Sequence, residues 1–120
     1  MRLVGFAAAI EFLLGLVLVA MPTLVAQLVF GSALSPPGDA LGRVAGFAFI
    51  AFGIACWPQA AQIGRRALPA LLEYNVLVAA FFLWLGIRGE LVGPLLWPAA
   101  ALHTVLSVLL ARMLLVSKTI

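Results

Sequence analysis

The sequence predicts an all-α fold, an integral membrane four-helix bundle, and three observations predict it. Hydrophobic residues make up 66% of the 120-residue chain and charged residues 9%, with a mean hydropathy of +1.25, far outside the range of soluble domains. The apolar residues gather into four runs, each near the roughly 20 residues a helix needs to cross the hydrocarbon core. Prolines, glycines and charges collect between the runs, where helices stop and start. Four spans consume nearly the whole length, so a single transmembrane domain over 1–120 is expected, with no room for a soluble one.

The first span is expected over about 2–21, where Pro22 stops it by removing a backbone donor. Pro22 can also open a helix. The stretch 22–30 follows, with Thr23 and Gln27 on one face and Leu24, Val25, Leu28 and Val29 over the rest, which reads as a short interfacial or re-entrant helix. Residues 31–42 hold Ser35, Pro36, Pro37, Gly38 and Asp39 and form the longest polar loop, with Asp39 a candidate cap for the next helix. Span two is expected over about 40–57, closed by the interface aromatic Trp57 and Pro58. Span three, about 68–87, starts after Arg65-Arg66 and ends before Arg88-Gly89. Span four, about 94–116, opens at Pro94 or at Pro98, since both favour a helix start.

Basic loops stay on the cytoplasmic side of a membrane. In a four-span arrangement Arg2, Arg65, Arg66, Arg112 and Lys118 share one side, while Arg43 and Arg88 fall on the other beside Asp39 and Glu90. Both termini are therefore expected to be cytoplasmic. Arg2 followed by an apolar stretch ending at Ala20 also fits a signal peptide, but Glu11 would then break its apolar region. The basic residues are scattered, which is no footprint for nucleic acid. Cys56 is the single cysteine, so no internal disulfide is possible and no zinc-site spacing exists. No cofactor and no metal are expected, and the first partner of such a chain is the lipid bilayer.

Glu11 is the anomaly. It lies about eight residues from the cytoplasmic end of its span, roughly 12 Å deep at 1.5 Å per residue, where a charge costs about 2.5–3.5 kcal/mol on insertion scales. Ala7, Ala8 and Gly15 lie three or four residues away, so this face suits close helix approach. Two readings follow: a protonated acid donating one interhelical hydrogen bond, or a proton carrier or ligand-binding group. His103, the only histidine, sits roughly 20 Å deep by the same rise and overlaps Glu11 in depth. Ala100, Ser107 and Ala111 share its face. A structural hydrogen bond is the plain reading of His103, and haem ligation would need a second chain.

Other polar residues suggest contacts. Glu73 and Arg112 each fall about five residues inside the cytoplasmic ends of their spans, so an ion pair is geometrically allowed, although Arg112 can also snorkel. Tyr74 and Asn75 extend the polar cluster. Arg43 can reach Asp39, Glu90 or an anion at the outer face. Gly42 and Gly46 make a GxxxG pattern continued by Gly53, which signals close helix packing within the bundle or across a dimer.

Ala9-Ile10-Glu11 followed by Gly15 is similar to the stretch that bears the proton-exchanging glutamate of small multidrug resistance transporters. Beyond it the chain departs from that family, with a strong charge bias and no glycine after Pro94. Over most of its length the chain resembles uncharacterised small four-helix bacterial membrane proteins, broadly DoxX-like. The residues that carry this resemblance are Glu11 and Gly15, Pro22, 41–46, Cys56-Trp57-Pro58, Tyr74-Asn75, 93–98 and His103. It implies a multi-pass protein of the bacterial inner membrane and no particular activity.

The first functional expectation is a non-enzymatic tetraspan that works through protein contacts, as an accessory subunit or assembly factor, with other membrane proteins or a homodimer as partners. The sequence has no nucleophile constellation or phosphate loop that would argue for an enzyme. A small proton-coupled transporter using Glu11, with His103 or Asn75 as relay, is the second reading. A lipid- or quinone-binding protein using Glu11, His103 and Arg43 is the third.

Overall fold

The computed structural model describes the backbone of residues 2–58 and 61–118 and the side chains of 2–58 and 67–116. Among the described residues five helices follow one another: α1 (Arg2–Ala20), α2 (Pro22–Phe30), α3 (Pro36–Ala55), α4 (Ala61–Arg88) and α5 (Leu96–Lys118). All regular structure among the described residues is helical. Among the described residues four stretches are long and apolar enough to cross a membrane, Arg2–Ala20, Pro36–Ala55, Ala67–Arg88 and Leu96–Val116.

Local chemistry sets the ends, in places differently from the sequence expectation. The second long helix begins at Pro36, not near residue 40. Ser35 is its N-cap, accepting a hydrogen bond from the Gly38 N–H at 3.3 Å, and Pro36 and Pro37 occupy the first two positions, where a missing donor costs nothing. Asp39 does not cap this helix. It sits in the first turn with its carboxylate held by Thr23 at 3.1 Å and Arg43 at 3.1 Å. The helix ends at Ala55, with Cys56 as C-cap. The third long helix starts at Ala61, which places Arg65 and Arg66 on the helix instead of in a loop, and Pro69 lies inside it. The fourth starts at Leu96, between the two prolines proposed to open it. Pro94 lies in the preceding turn and Pro98 in the first helical turn, where no i→i−4 donor is required.

The short helix α2 is clamped at its end. Gly31, with φ +72°, adopts the left-handed conformation that glycine tolerates, and its N–H closes on the Gln27 carbonyl at 3.0 Å. The Leu28 and Val29 carbonyls accept from Leu95 at 2.8 Å and Gly93 at 2.9 Å, so the α4–α5 connection supplies donors the helix lacks.

Two close helix pairs make the body of the molecule, α1 with α3 and α4 with α5, and α1 also touches α4 and α5. Glycines set the first pair. A Cβ at Gly15 would stand 2.7 Å from the Gly46 carbonyl oxygen, one at Gly46 would meet Val19 N at 2.8 Å, and one at Gly53 would meet Ala8 O at 2.8 Å. Gly42 packs on Pro22 in the same way. The GxxxG face is thus consumed inside the chain. Next to this seam the α1 stripe of Val4, Ala7 and Glu11 turns toward the second pair, where Val4, Ala7 and Ala8 pack with Leu68, Leu71, Leu106 and Leu110. The molecule measures 49 × 28 × 17 Å and is flattened. At its edge α3 reaches α4 through the rings of Phe49, Phe52 and Tyr74.

Candidate functional site

Among the described residues three polar side chains are buried in the interior: Glu11 at 0% exposure, Asn75 at 0% and His103 at 5%. They come from α1, α4 and α5, the elements that share the molecular centre. Asn75 and His103 form a direct pair. The Asn75 amide donates to the Leu71 carbonyl at 2.8 Å, which leaves its Oδ1 as acceptor for His103 Nδ1 at 2.8 Å. A neutral His103 is therefore the Nδ1–H tautomer. Nε2 makes no hydrogen bond among the described residues. The imidazole edge is held by Tyr74 and Phe82, each with ring centroids 5.9 Å away and nearly perpendicular. Ser107 donates to the His103 carbonyl at 2.7 Å, so it stabilises its own helix and does not join the polar pair.

Glu11 differs from these neighbours. Both of its carboxyl oxygens are buried without a hydrogen-bond partner among the described residues. The Tyr74 hydroxyl approaches it but falls outside the geometry of a formed hydrogen bond. His103 is not its partner: the imidazole bonds to Asn75 through Nδ1, and neither Glu11 oxygen meets a donor among the described residues. A buried polar group without a partner loses its hydration with nothing in return, typically about 1–3 kcal/mol. The expected interhelical hydrogen bond of Glu11 is therefore absent among the described residues, where the buried Asn75 and His103 are spent on each other and on the Leu71 carbonyl.

Tyr74 links this centre to the outside. Its ring packs against Phe49 at 5.6 Å and Phe52 at 5.4 Å. With Ala48, Ala70 and Glu73 these rings line an open groove of about 350 Å³ between α3 and α4. The sequence placed Tyr74 in the polar cluster without giving it a role. A tyrosine beside asparagine in an apolar span was the available signal, but the pairing of its ring with α3 depends on tertiary contact.

Glu73 and Arg112 do not form the ion pair that their depths allow. Both are exposed, and neither has an ion-pair partner among the described residues. Each lies two residues from a seam position, Leu71 and Leu110, and so points away from the α4–α5 contact. Arg43 is a structural clasp: its Nε meets Asp39 at 3.1 Å and its Nη1 donates to the Val19 carbonyl at 2.5 Å, one of the last carbonyls of α1. Glu90 pairs instead with Arg88 at 2.9 Å. Gly15, Gly42, Gly46 and Gly53 serve the internal α1–α3 seam. No group of three or more metal-ligating side chains comes together among the described residues. Comparison with family models, curated proteins and solved structures gives no match, so function rests on this geometry.

Proposed function

We propose that this chain is a small proton-coupled transporter of the bacterial inner membrane, with Glu11 as its proton-exchanging group. The observation that carries the reading is the Glu11 carboxyl, wholly buried and without a hydrogen-bond partner among the described residues. A carboxyl kept for structure would be tied to a donor, as Asn75 and His103 are tied to each other. One left without such a tie is free to exchange its proton when its surroundings open. Tyr74, which approaches Glu11 and borders the groove, is the group through which the two communicate. The orientation proposed with it has both termini cytoplasmic, on the strength of the basic-residue bias. Kinship with DoxX-like tetraspans is part of the proposal and rests on the residues that carry the resemblance.

Infrared difference spectra between acidic and alkaline pH, taken on the protein in vesicles, test the exchange. The wild type is expected to give a carboxylic C=O band that titrates and that Glu11→Gln removes. A spectrum that Glu11→Gln leaves unchanged would sink the reading. Proton-linked uptake or efflux in vesicles should disappear in the same variant.

A second reading, an accessory subunit or assembly factor, is favoured by one feature. α3 packs on one side only, and Leu41, Val44, Phe47 and Ile54 leave its outer face exposed. The glycine seam lends it no support, since those residues are occupied within the chain. Reproducible co-purification with another membrane protein, or a stable homodimer, would favour it. A chain that always runs alone would count against it.

A further inference from the structure

We infer that the end of the bundle where α1 starts and α5 ends is a binding surface for anionic phospholipids, held through their phosphates by Arg2 and Arg112. The two ends of the molecule differ in how their charge is balanced. The chain has four acidic side chains. At the end where α3 starts and α4 stops, two of them hold the two cations present, Asp39 on Arg43 and Glu90 on Arg88. At the opposite end the start of α1, the start of α4 and the end of α5 come together, since Val4, Leu68 and Leu110 share one core cluster. The helix segments that reach it carry Arg2, Arg65, Arg66, Arg112 and Lys118, and the sequence has no acidic residue at 59–66 or 117–120 to balance them. Of the other two acids, Glu11 is buried at the centre, and Glu73 can balance one cation at most. Arg2 and Arg112 are exposed, and neither has an ion-pair partner among the described residues.

Position selects the anion. Arg2 is the first residue of the first span, and Arg112 lies four residues before Val116, the last residue of the fourth, roughly 6 Å inside that end at 1.5 Å per residue. A guanidinium at this depth reaches back along its apolar stem to the headgroup layer, where the phosphates of the lipids stand. Exposed apolar side chains lie beside each arginine, Phe6 one turn from Arg2 and Val108 and Leu109 one turn from Arg112. They give acyl chains a surface while the guanidinium, whose fork fits a phosphate, takes the headgroup. A zwitterionic lipid brings its own cation and gains little here. An anionic one supplies the charge that the protein lacks at this end. The inference goes beyond the proton-exchange reading and stands without it, because it uses neither Glu11 nor Tyr74.

Tryptophan quenching by phosphatidylglycerol brominated on its acyl chains tests this, with the full chain in vesicles of that lipid mixed with phosphatidylcholine. It measures which lipid is preferred beside a chosen site. Trp57 serves Arg2: it is exposed, and its neighbour Pro58 stands 3.3 Å from where a Cβ on Gly5 would be, three residues from Arg2. Trp84→Phe and Trp97→Phe leave it as the single tryptophan. Leu109→Trp, with the three native tryptophans replaced by phenylalanine, serves Arg112. Phosphatidylglycerol is expected to be preferred about fivefold at each reporter, the gain of one cation beside an anionic lipid surface. Arg2→Gln should bring the preference near unity at Trp57 and leave it unchanged at position 109, and Arg112→Gln should do the reverse. Arg88→Gln combined with Glu90→Gln, which removes a balanced pair, should change neither. Absence of any preference, or equal losses at both reporters from either arginine, would overturn the inference. So would displacement of phosphatidylglycerol by inorganic phosphate, which would make a water-soluble anion the ligand. Both arginines are exposed, so their substitution should leave the fold intact, which helix content by circular dichroism checks. Glu11→Gln should keep both preferences while losing the titrating infrared band, which keeps the two proposals separable.

Discussion

At the residue scale, the polar centre divides into a satisfied pair and an unsatisfied acid. Asn75 and His103 exchange a 2.8 Å hydrogen bond across the α4–α5 seam, and Asn75→Ala would leave the His103 Nδ1–H without its acceptor. Interhelical hydrogen bonds inside membranes are worth about 0.6 kcal/mol on average and up to about 1.7 kcal/mol. We therefore expect Asn75→Ala to lower stability by about 1 kcal/mol, and a double-mutant cycle with His103→Ala to return a coupling near that average. Unfolding in mixed micelles measures both. Additive losses would show that the pair contributes no coupling. The residues of this centre were legible in the sequence, because a glutamate, an asparagine and a histidine stand out in apolar helices. Their partners were not. Depth along a helix placed Glu11 and His103 level with one another, but only rotation about the helix axes decides that His103 turns to Asn75 and Glu11 to Tyr74. The Glu73–Arg112 pair failed for the same reason: depth matched and facing did not.

At the element scale, glycine has two different uses. At Gly46 any side chain would meet Val19 N and the Gly15 carbonyl at 2.8 Å, backbone atoms that cannot rotate aside. Gly46→Leu must separate α1 from α3 and should cost about 1–3 kcal/mol, the usual range for overpacking. Gly89 faces open space, with nothing within 4 Å of a Cβ, but its φ is +71°. Gly89→Ala should cost about 1 kcal/mol through backbone strain alone. Thermal unfolding in detergent ranks the two, and a larger loss at Gly89 would contradict the seam. The helix ends show how far local chemistry can be read. Pro22 both stops one helix and opens the next, as its fixed φ and missing donor require. Ser35 before two prolines reads as turn sequence, which leaves Asp39 as the cap the sequence suggests. The structure uses those prolines as the first two helical residues and assigns the Asp39 carboxylate to Thr23 and Arg43.

For the whole molecule, the flattened arrangement with α3 at the edge gives the groove its opening, and the basic-residue bias gives the proposed orientation. Membrane-impermeant maleimide labelling on intact cells tests that orientation, in a Cys56→Ala background that removes the one native thiol. Ser35→Cys, in the connection between α2 and α3, should react from outside. Ser117→Cys, near the C-terminus, should react only after permeabilisation. The opposite pattern would reverse the topology and place Arg43 and Asp39 on the inner face.

The sequence by itself determined that the chain is helical, that four of its helices are long and apolar enough for a bilayer, and that Glu11 is out of place in the first of them. These properties follow from composition and from breaks in hydropathy, which act along the chain and need no partner. Only the tertiary structure decided which faces meet. The GxxxG pattern was compatible with packing inside the chain or across a dimer, and it packs inside, on Gly15 and Val19. The groove, the isolation of Glu11 and the bridging place of Tyr74 arise from how two helix pairs lie against each other. Helix rotation and pair spacing are set by side-chain packing between distant segments, which hydropathy does not encode.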